Sequence, residues 1–172
     1  MSPLALLKRF YAAFATLDAR TMQSCYVPHA QFEDPLFVLE GSEQIGAMWQ
    51  MVCQTIRNGG QAVWRLEAGE LEAADGERGS ARWEARYRSG AAGRIVHNIV
   101  SAKFTFEDGL IATHSENYDF WRWSRQALGS SGLVMGWSPM LRNQVRRQAQ
   151  GKLERFLAHR AAALAQQQPQ PQ

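Results

Sequence analysis

Three clusters of side chains in this 172-residue chain have types and spacing that could do chemistry. The first is Asp34, within His29-Ala-Gln-Phe-Glu-Asp-Pro-Leu-Phe37. A carboxylate set between an apolar strand and a proline turn can be shielded from water, take a raised pKa and shuttle a proton as a general base. The same position also suits a turn residue whose side chain caps the following loop. The second cluster is His114-Ser-Glu-Asn-Tyr118. Strand alternation puts His114, Glu116 and Tyr118 on one face, where His114 and Glu116 could form an acid–base pair or a structural polar network. The third is a set of neutral donors, Tyr11, Asn98 and Tyr118, that could hold an enolate oxygen. His97 falls on the parity opposite Asn98.

Other chemistries find little support. His29, His97, His114 and His159 have no metal-ligand spacing, and Cys25 and Cys53 form no Cys-x-x-Cys pair, so no metal is expected. There is no Gly-x-Gly-x-x-Gly, Walker loop or Gly-x-Ser-x-Gly. Neither a cofactor nor a serine nucleophile is expected. The two cysteines, each with apolar neighbours, read as buried free thiols.

These residues need elements to position them. Ser2-Pro3 caps a helix whose Leu4, Leu7, Phe10, Tyr11, Phe14 and Leu17 make one buried stripe. Asp18 caps a short second helix, expected over residues 19–26 and stopped by Pro28. Residues 30–34 read as a short strand. Gly41-Ser42 opens a third helix with Ile45, Met48, Trp49, Val52 and Ile56 on one face, stopped by Asn58-Gly59-Gly60. Extended segments follow at 63–71, 81–88, 94–106 and 110–120, with turn signals at Asp75-Gly76 and Glu107-Asp108-Gly109. Trp49, Trp64, Trp83 and Tyr87 could pack the core or line a pocket. A short helix is expected at 121–128, a connector at 132–136, and a last helix starting at Ser138-Pro139. Its stripe of Leu141, Val145, Ala149, Leu153, Phe156, Leu157 and Leu164 must be covered by the core, a partner or a bilayer surface. Residues 166–172 form a Gln/Pro tail.

Three helices followed by antiparallel strands predict an α+β fold, with helices on a curved, mostly antiparallel sheet and a cavity between the layers. The expected division is a domain at 1–123, a helical extension at 124–165 and a disordered tail at 166–172. Net charge is +3. The excess sits in residues 122–160, which carry eight Lys and Arg against Glu154 alone. A solvated helix face is the expected reading of that patch, not a nucleic-acid surface. No window reaches the ~18 consecutive apolar residues of a membrane helix. Lys8 and Arg9 interrupt the apolar N-terminus, so a cytoplasmic protein is expected.

The element order resembles the SnoaL-like group of the NTF2-like superfamily over residues 4–121. Phe32-Glu33-Asp34-Pro35, Gly41-x-x-x-Ile45 and Asp108-Gly-Leu-Ile-x-x-His114 resemble it too. Asp119-Phe-Trp-Arg-Trp123 and the C-terminal helix resemble bacterial nuclear transport factor 2 family proteins. The resemblance implies the NTF2-like cone. The superfamily spans ketosteroid isomerase, polyketide cyclases, limonene-epoxide hydrolase and non-enzymatic modules, so function must come from the site. Asp34 matches the isomerase base, but the isomerase's two oxyanion donors fall on Phe10 and Ala102. Steroid isomerisation by that route is therefore not expected. The cyclases, with a last-strand acid near a His, are the nearer comparison, and they imply that His114, Glu116 and Tyr118 face the cavity.

The expectation is thus a small apolar, carbonyl-bearing ligand in a central cavity, with cofactor-free proton transfer. Asp34, His114 and Glu116 would be catalytic; Tyr11, Trp49, Trp83, Asn98 and Tyr118 would bind. A non-catalytic binder and an assembly module are the alternatives. A homodimer is expected, covering the outer sheet face and the C-terminal stripe.

Overall fold

A computed structural model of the chain describes residues 1–73, 76–89, 93–130 and 138–167. The connector expected at 132–136, Asp75 of the expected turn, the side chain of Leu164 and most of the Gln/Pro tail lie outside the described residues.

Helix α1 (Pro3–Ala15) starts where the Ser2 hydroxyl accepts the Ala5 N–H at 3.3 Å. It buries Leu6, Leu7, Phe10, Tyr11 and Phe14. Asp18 caps α2 (Ala19–Gln23) through the Thr21 N–H. That helix is shorter than expected, because β1 (Tyr26–Glu33) begins before Pro28. β2 (Val38–Glu40) returns beside β1, and α3 (Ser42–Asn58) follows. Gly41 at its N-cap has φ +88, a conformation that favours glycine. After one 3-10 turn (Gln61–Val63) come β3 (Arg65–Glu72), β4 (Arg78–Ser89), β5 (Arg94–Glu107) and β6 (Leu110–Tyr118). Asp119 then caps α4 (Phe120–Leu128) through the Arg122 N–H at 2.9 Å. The last element is α5 (Pro139–Gln167).

The fold is α+β, a curved mixed sheet with helices against it. The helices do not simply precede the strands, however. Five are described, and β1 and β2 fall between α2 and α3. The sheet order is β2-β1-β6-β5-β4-β3, antiparallel except for the parallel pair β1–β6. Pro28 sits in β1 without harm because the register with β6 skips between Tyr26 and Gln31, so its missing N–H breaks no ladder bond there.

Residues of β5 and β6 alternate as a half-buried sheet must. On β5, Val96, Asn98, Val100, Ala102 and Phe104 are buried; on β6, His114 and Glu116 are buried and Tyr118 is half-buried. β6 ends opposite Val100, leaving the earlier backbone of β5 without a strand on that side. Gln126 of α4 replaces it: its amide accepts the His97 N–H at 2.8 Å and donates to the His97 carbonyl at 3.2 Å. His97 itself pairs with Glu84 at 2.8 Å.

Helix α5 packs along α3. Leu141 and Leu153 are buried, Arg160 reaches Glu43 at 3.3 Å, and Arg146 donates to the Pro35 carbonyl. Within the described residues the C-terminal stripe is buried or partly buried against the chain's own core, so that surface does not need a second copy to cover it. Among the described residues no helix is long and apolar enough to cross a membrane.

Candidate active site

The inner face of the sheet, α3, α4 and α5 enclose a cavity of about 380 Å³. Its wall is mostly aromatic and aliphatic: Phe14, Phe32, Trp49, Trp64 and Trp83 contribute rings, with Met48 and Ile56 between them. Four polar groups converge on it from two strands and one turn: Asn98 from β5, Glu116 and Tyr118 from β6, and Asp34 from the turn after β1. Such a lining, apolar with a few placed polar groups, is the usual make-up of a small-molecule site.

Asp34 follows β1 and does two things at once. Its Oδ1 accepts the Leu36 N–H at 2.7 Å and the Phe37 N–H at 2.6 Å, closing the Pro35 turn. Its Oδ2 makes no hydrogen bond among the described residues, and the side chain lines the cavity. Burial, and then the nearby Glu116 charge, push the carboxyl up to about 7, against the two N–H bonds and Arg146, which pull it down. The capping and proton-shuttle readings of this residue are thus compatible, one for each oxygen.

Glu116 is held from the sheet. Ala102 and Ala81 stand beside it in register, and these small side chains leave room for the diagonal Trp83. Trp83 Nε1 donates to Glu116 Oε1 at 3.1 Å. Tyr118 is pushed well above its ordinary range by burial and by Asp34, Tyr87 and Glu116. Tyr87, also on the cavity wall, is pushed up to about 12 by burial and receives the Trp123 N–H at 3.0 Å. Both phenols therefore stay protonated and able to donate.

Two expected site residues are elsewhere. His114 is 1% exposed and does not line this cavity; the rings of Phe32 and Phe104 pack against it. It belongs to a buried chain behind the wall. Trp49 Nε1 donates to the Tyr26 hydroxyl at 3.1 Å, and Tyr26 lies 2.7 Å from His114 Nδ1. A Tyr26 hydroxyl that accepts from Trp49 and donates to Nδ1 leaves the ring proton on Nε2, the tautomer that faces Glu116. Nε2 is 3.1 Å from Glu116 Oε1 but out of line for a hydrogen bond, so it has no partner among the described residues. Tyr11 is also off the wall. Its side chain is buried behind the cavity with an unpartnered hydroxyl, close enough to Glu116 for that charge to raise its pKa. One residue along α1 from the Phe10 position, it points about 100° away.

Sequence reasoning gave no role to Tyr26, Trp123 or Arg146. Tyr26 falls at the end of the helix expected over residues 19–26 but opens β1. Arg146 sits on the helix whose packing partner was open. Among the described residues no group of three His, Cys, Asp or Glu side chains is placed to hold a metal.

A helix-capped curved sheet around an apolar cavity, with an acid at its edge, defines the class of α+β cones. Within it, the chain belongs to the SnoaL-like domain family, whose model matches residues 7–114. Solved structures similar to it include an NTF2-like protein of unknown function from Burkholderia pseudomallei: 20% identical, covering 74% of this chain and 98% of that one, TM-score 0.61. TerC, co-crystallised with polyporic acid, is 16% identical over 74% of this chain and 100% of that one, TM-score 0.62. A candidate polyketide cyclase from Xanthomonas campestris is 16% identical over 73% and 96%, TM-score 0.58. No curated protein sequence matches the chain.

Proposed function

We propose that this protein binds a small, largely apolar, carbonyl-bearing molecule in its central cavity and moves a proton next to that carbonyl without a cofactor. One observation carries the reading. Asp34 has one oxygen locked by two backbone N–H groups and the other free on an aromatic cavity wall, with its carboxyl near 7. A base of that strength takes a proton from carbon and returns it near neutral pH. The enolate oxygen would lie against a neutral donor, for which Tyr118, Tyr87 and Asn98 are available on the wall. Glu116, fixed by Trp83, acts through its charge by keeping Asp34 basic. His114 lies behind the wall and does not touch the ligand.

The test is deuterium exchange at the carbon beside the carbonyl of 2-tetralone in D2O, followed by NMR. Acceleration by the wild type and its loss in Asp34→Asn, with cooperative unfolding retained, are expected. The second reading, a non-catalytic binder, is favoured by the capping work that Asp34 already does. Binding of 2-tetralone or polyporic acid, seen by quenching of Trp49, Trp64 and Trp83, without any exchange above buffer would select it.

A further inference from the structure

The cavity is electrically polar along its depth. Its buried lining carries carboxylates: Glu116 is 7% exposed, and Asp34 lies close enough to feel its charge. The exposed lining residues, which form the mouth, are Thr55, Arg88, Gln148 and Lys152. The charged groups at the mouth are therefore both cations, whereas the buried charged group is Glu116, with Asp34 half-buried at the cavity edge.

The mouth cations are not consumed by structure. On α5, Arg146 is spent on the Pro35 carbonyl, Arg160 on Glu43 and Arg142 on the face of Phe120 at 5.3 Å. Lys152, on the same helix, has no hydrogen bond or ion pair among the described residues. Arg88 gives one guanidinium nitrogen to the Gly93 carbonyl at 2.9 Å and keeps the rest. They come from different elements of the wall, Arg88 from the end of β4 and Lys152 from α5.

The geometry points to a ligand that is itself polar end to end: an aromatic or polycyclic ketone carrying a carboxylate, with the carbonyl inward and the carboxylate between Arg88 and Lys152. This rests on the ligand-cavity reading above and names its substrate class. A carboxylate turned inward would meet the buried Glu116, and Asp34 whenever that is ionised, where like charges repel more than in water. Turned outward it meets two cations. The mouth thus selects for an acid and sets the direction in which it enters.

The experiment uses a matched pair, 1-naphthaleneacetic acid and 1-naphthaleneacetamide, titrated into the full-length protein at low salt. The acid is expected to bind roughly fivefold more tightly than the amide, as two partly exposed ion pairs allow. The preference shrinks as salt is added, and the Arg88→Gln/Lys152→Gln double variant loses it while binding the amide as before. Equal binding of acid and amide by the wild type, or a preference that survives in the double variant, overturns the proposal and leaves the cavity reading intact. Failure of both probes to bind removes the cavity reading and the proposal together.

Discussion

The guanidinium of Arg146 donates to the carbonyl of Pro35 from both Nε and Nη2, at 3.2 and 3.1 Å. This joins the last helix to the turn that carries the candidate base. The Arg146 charge also holds the Asp34 carboxyl below where burial and Glu116 alone would put it. Arg146→Leu is expected to cost about 1–2 kcal/mol, the value of a charged hydrogen bond to backbone. It is also expected to move Asp34 above 7. Thermal unfolding and a carboxyl NMR titration read the two effects; an unchanged Asp34 titration would mean that the two groups are not coupled.

Stability should fall as pH rises through the range in which Asp34 ionises. The folded state holds the Asp34 proton up to about 7, whereas a model aspartate releases it near 3.8. Between those values the folded state binds more protons than the unfolded one, so stability is greatest below 4 and declines toward 7, by on the order of 2–4 kcal/mol. Asp34→Asn keeps an oxygen for the Leu36 and Phe37 N–H groups and carries no charge. It should match the wild type at pH 4 and be more stable at pH 8, in melting curves taken across the range. A functional acid held at a cost in stability behaves this way.

Tyr26→Phe removes the hydroxyl that receives Trp49 and serves His114. Two buried ring nitrogens then lose their partner, and a loss of about 2–3 kcal/mol is expected. In the wild type the ¹⁵N shifts of His114 should report the Nε2–H tautomer. A proton on Nδ1 would mean that Tyr26 accepts from His114 and does not donate to it.

Cys25 and Cys53 are both fully buried, and burial pushes each thiol up to about 11. Neither should react with a disulfide reagent at pH 8 until the protein unfolds, because the thiolate is the nucleophile. Fast native-state labelling would show local opening, of α3 for Cys53 and of the turn between α2 and β1 for Cys25.

Much of the positioning could be read from periodicity. The alternation of His114, Glu116 and Tyr118 gives the inner face of β6 directly, and the Asp-Pro turn gives Asp34. Depth was not legible. Period two says that His114 and Glu116 share a face, yet only the packing of Phe32 and Phe104 decides that His114 lies behind the wall. Pro28 was misread because a proline stops a helix and is tolerated in a strand where the ladder skips, and the skip is a tertiary fact. The place of α5 was equally closed to local reasoning. Its contacts with the Pro35 turn and Glu43 join residues more than a hundred positions apart.

The parallel seam between β1 and β6 has a kinetic consequence. Phe32 pairs with His114, so the first strand waits for the last before either is fully hydrogen-bonded. The hairpins β3–β4–β5–β6 can form from neighbours in sequence, whereas the seam closes a loop that spans most of the chain. Loop closure of that length is slow relative to hairpin formation. Until it happens, the rings of Phe32 and Trp49 have no sheet to rest on. Refolding should therefore show a sheet signal from the hairpins before the tryptophans leave water.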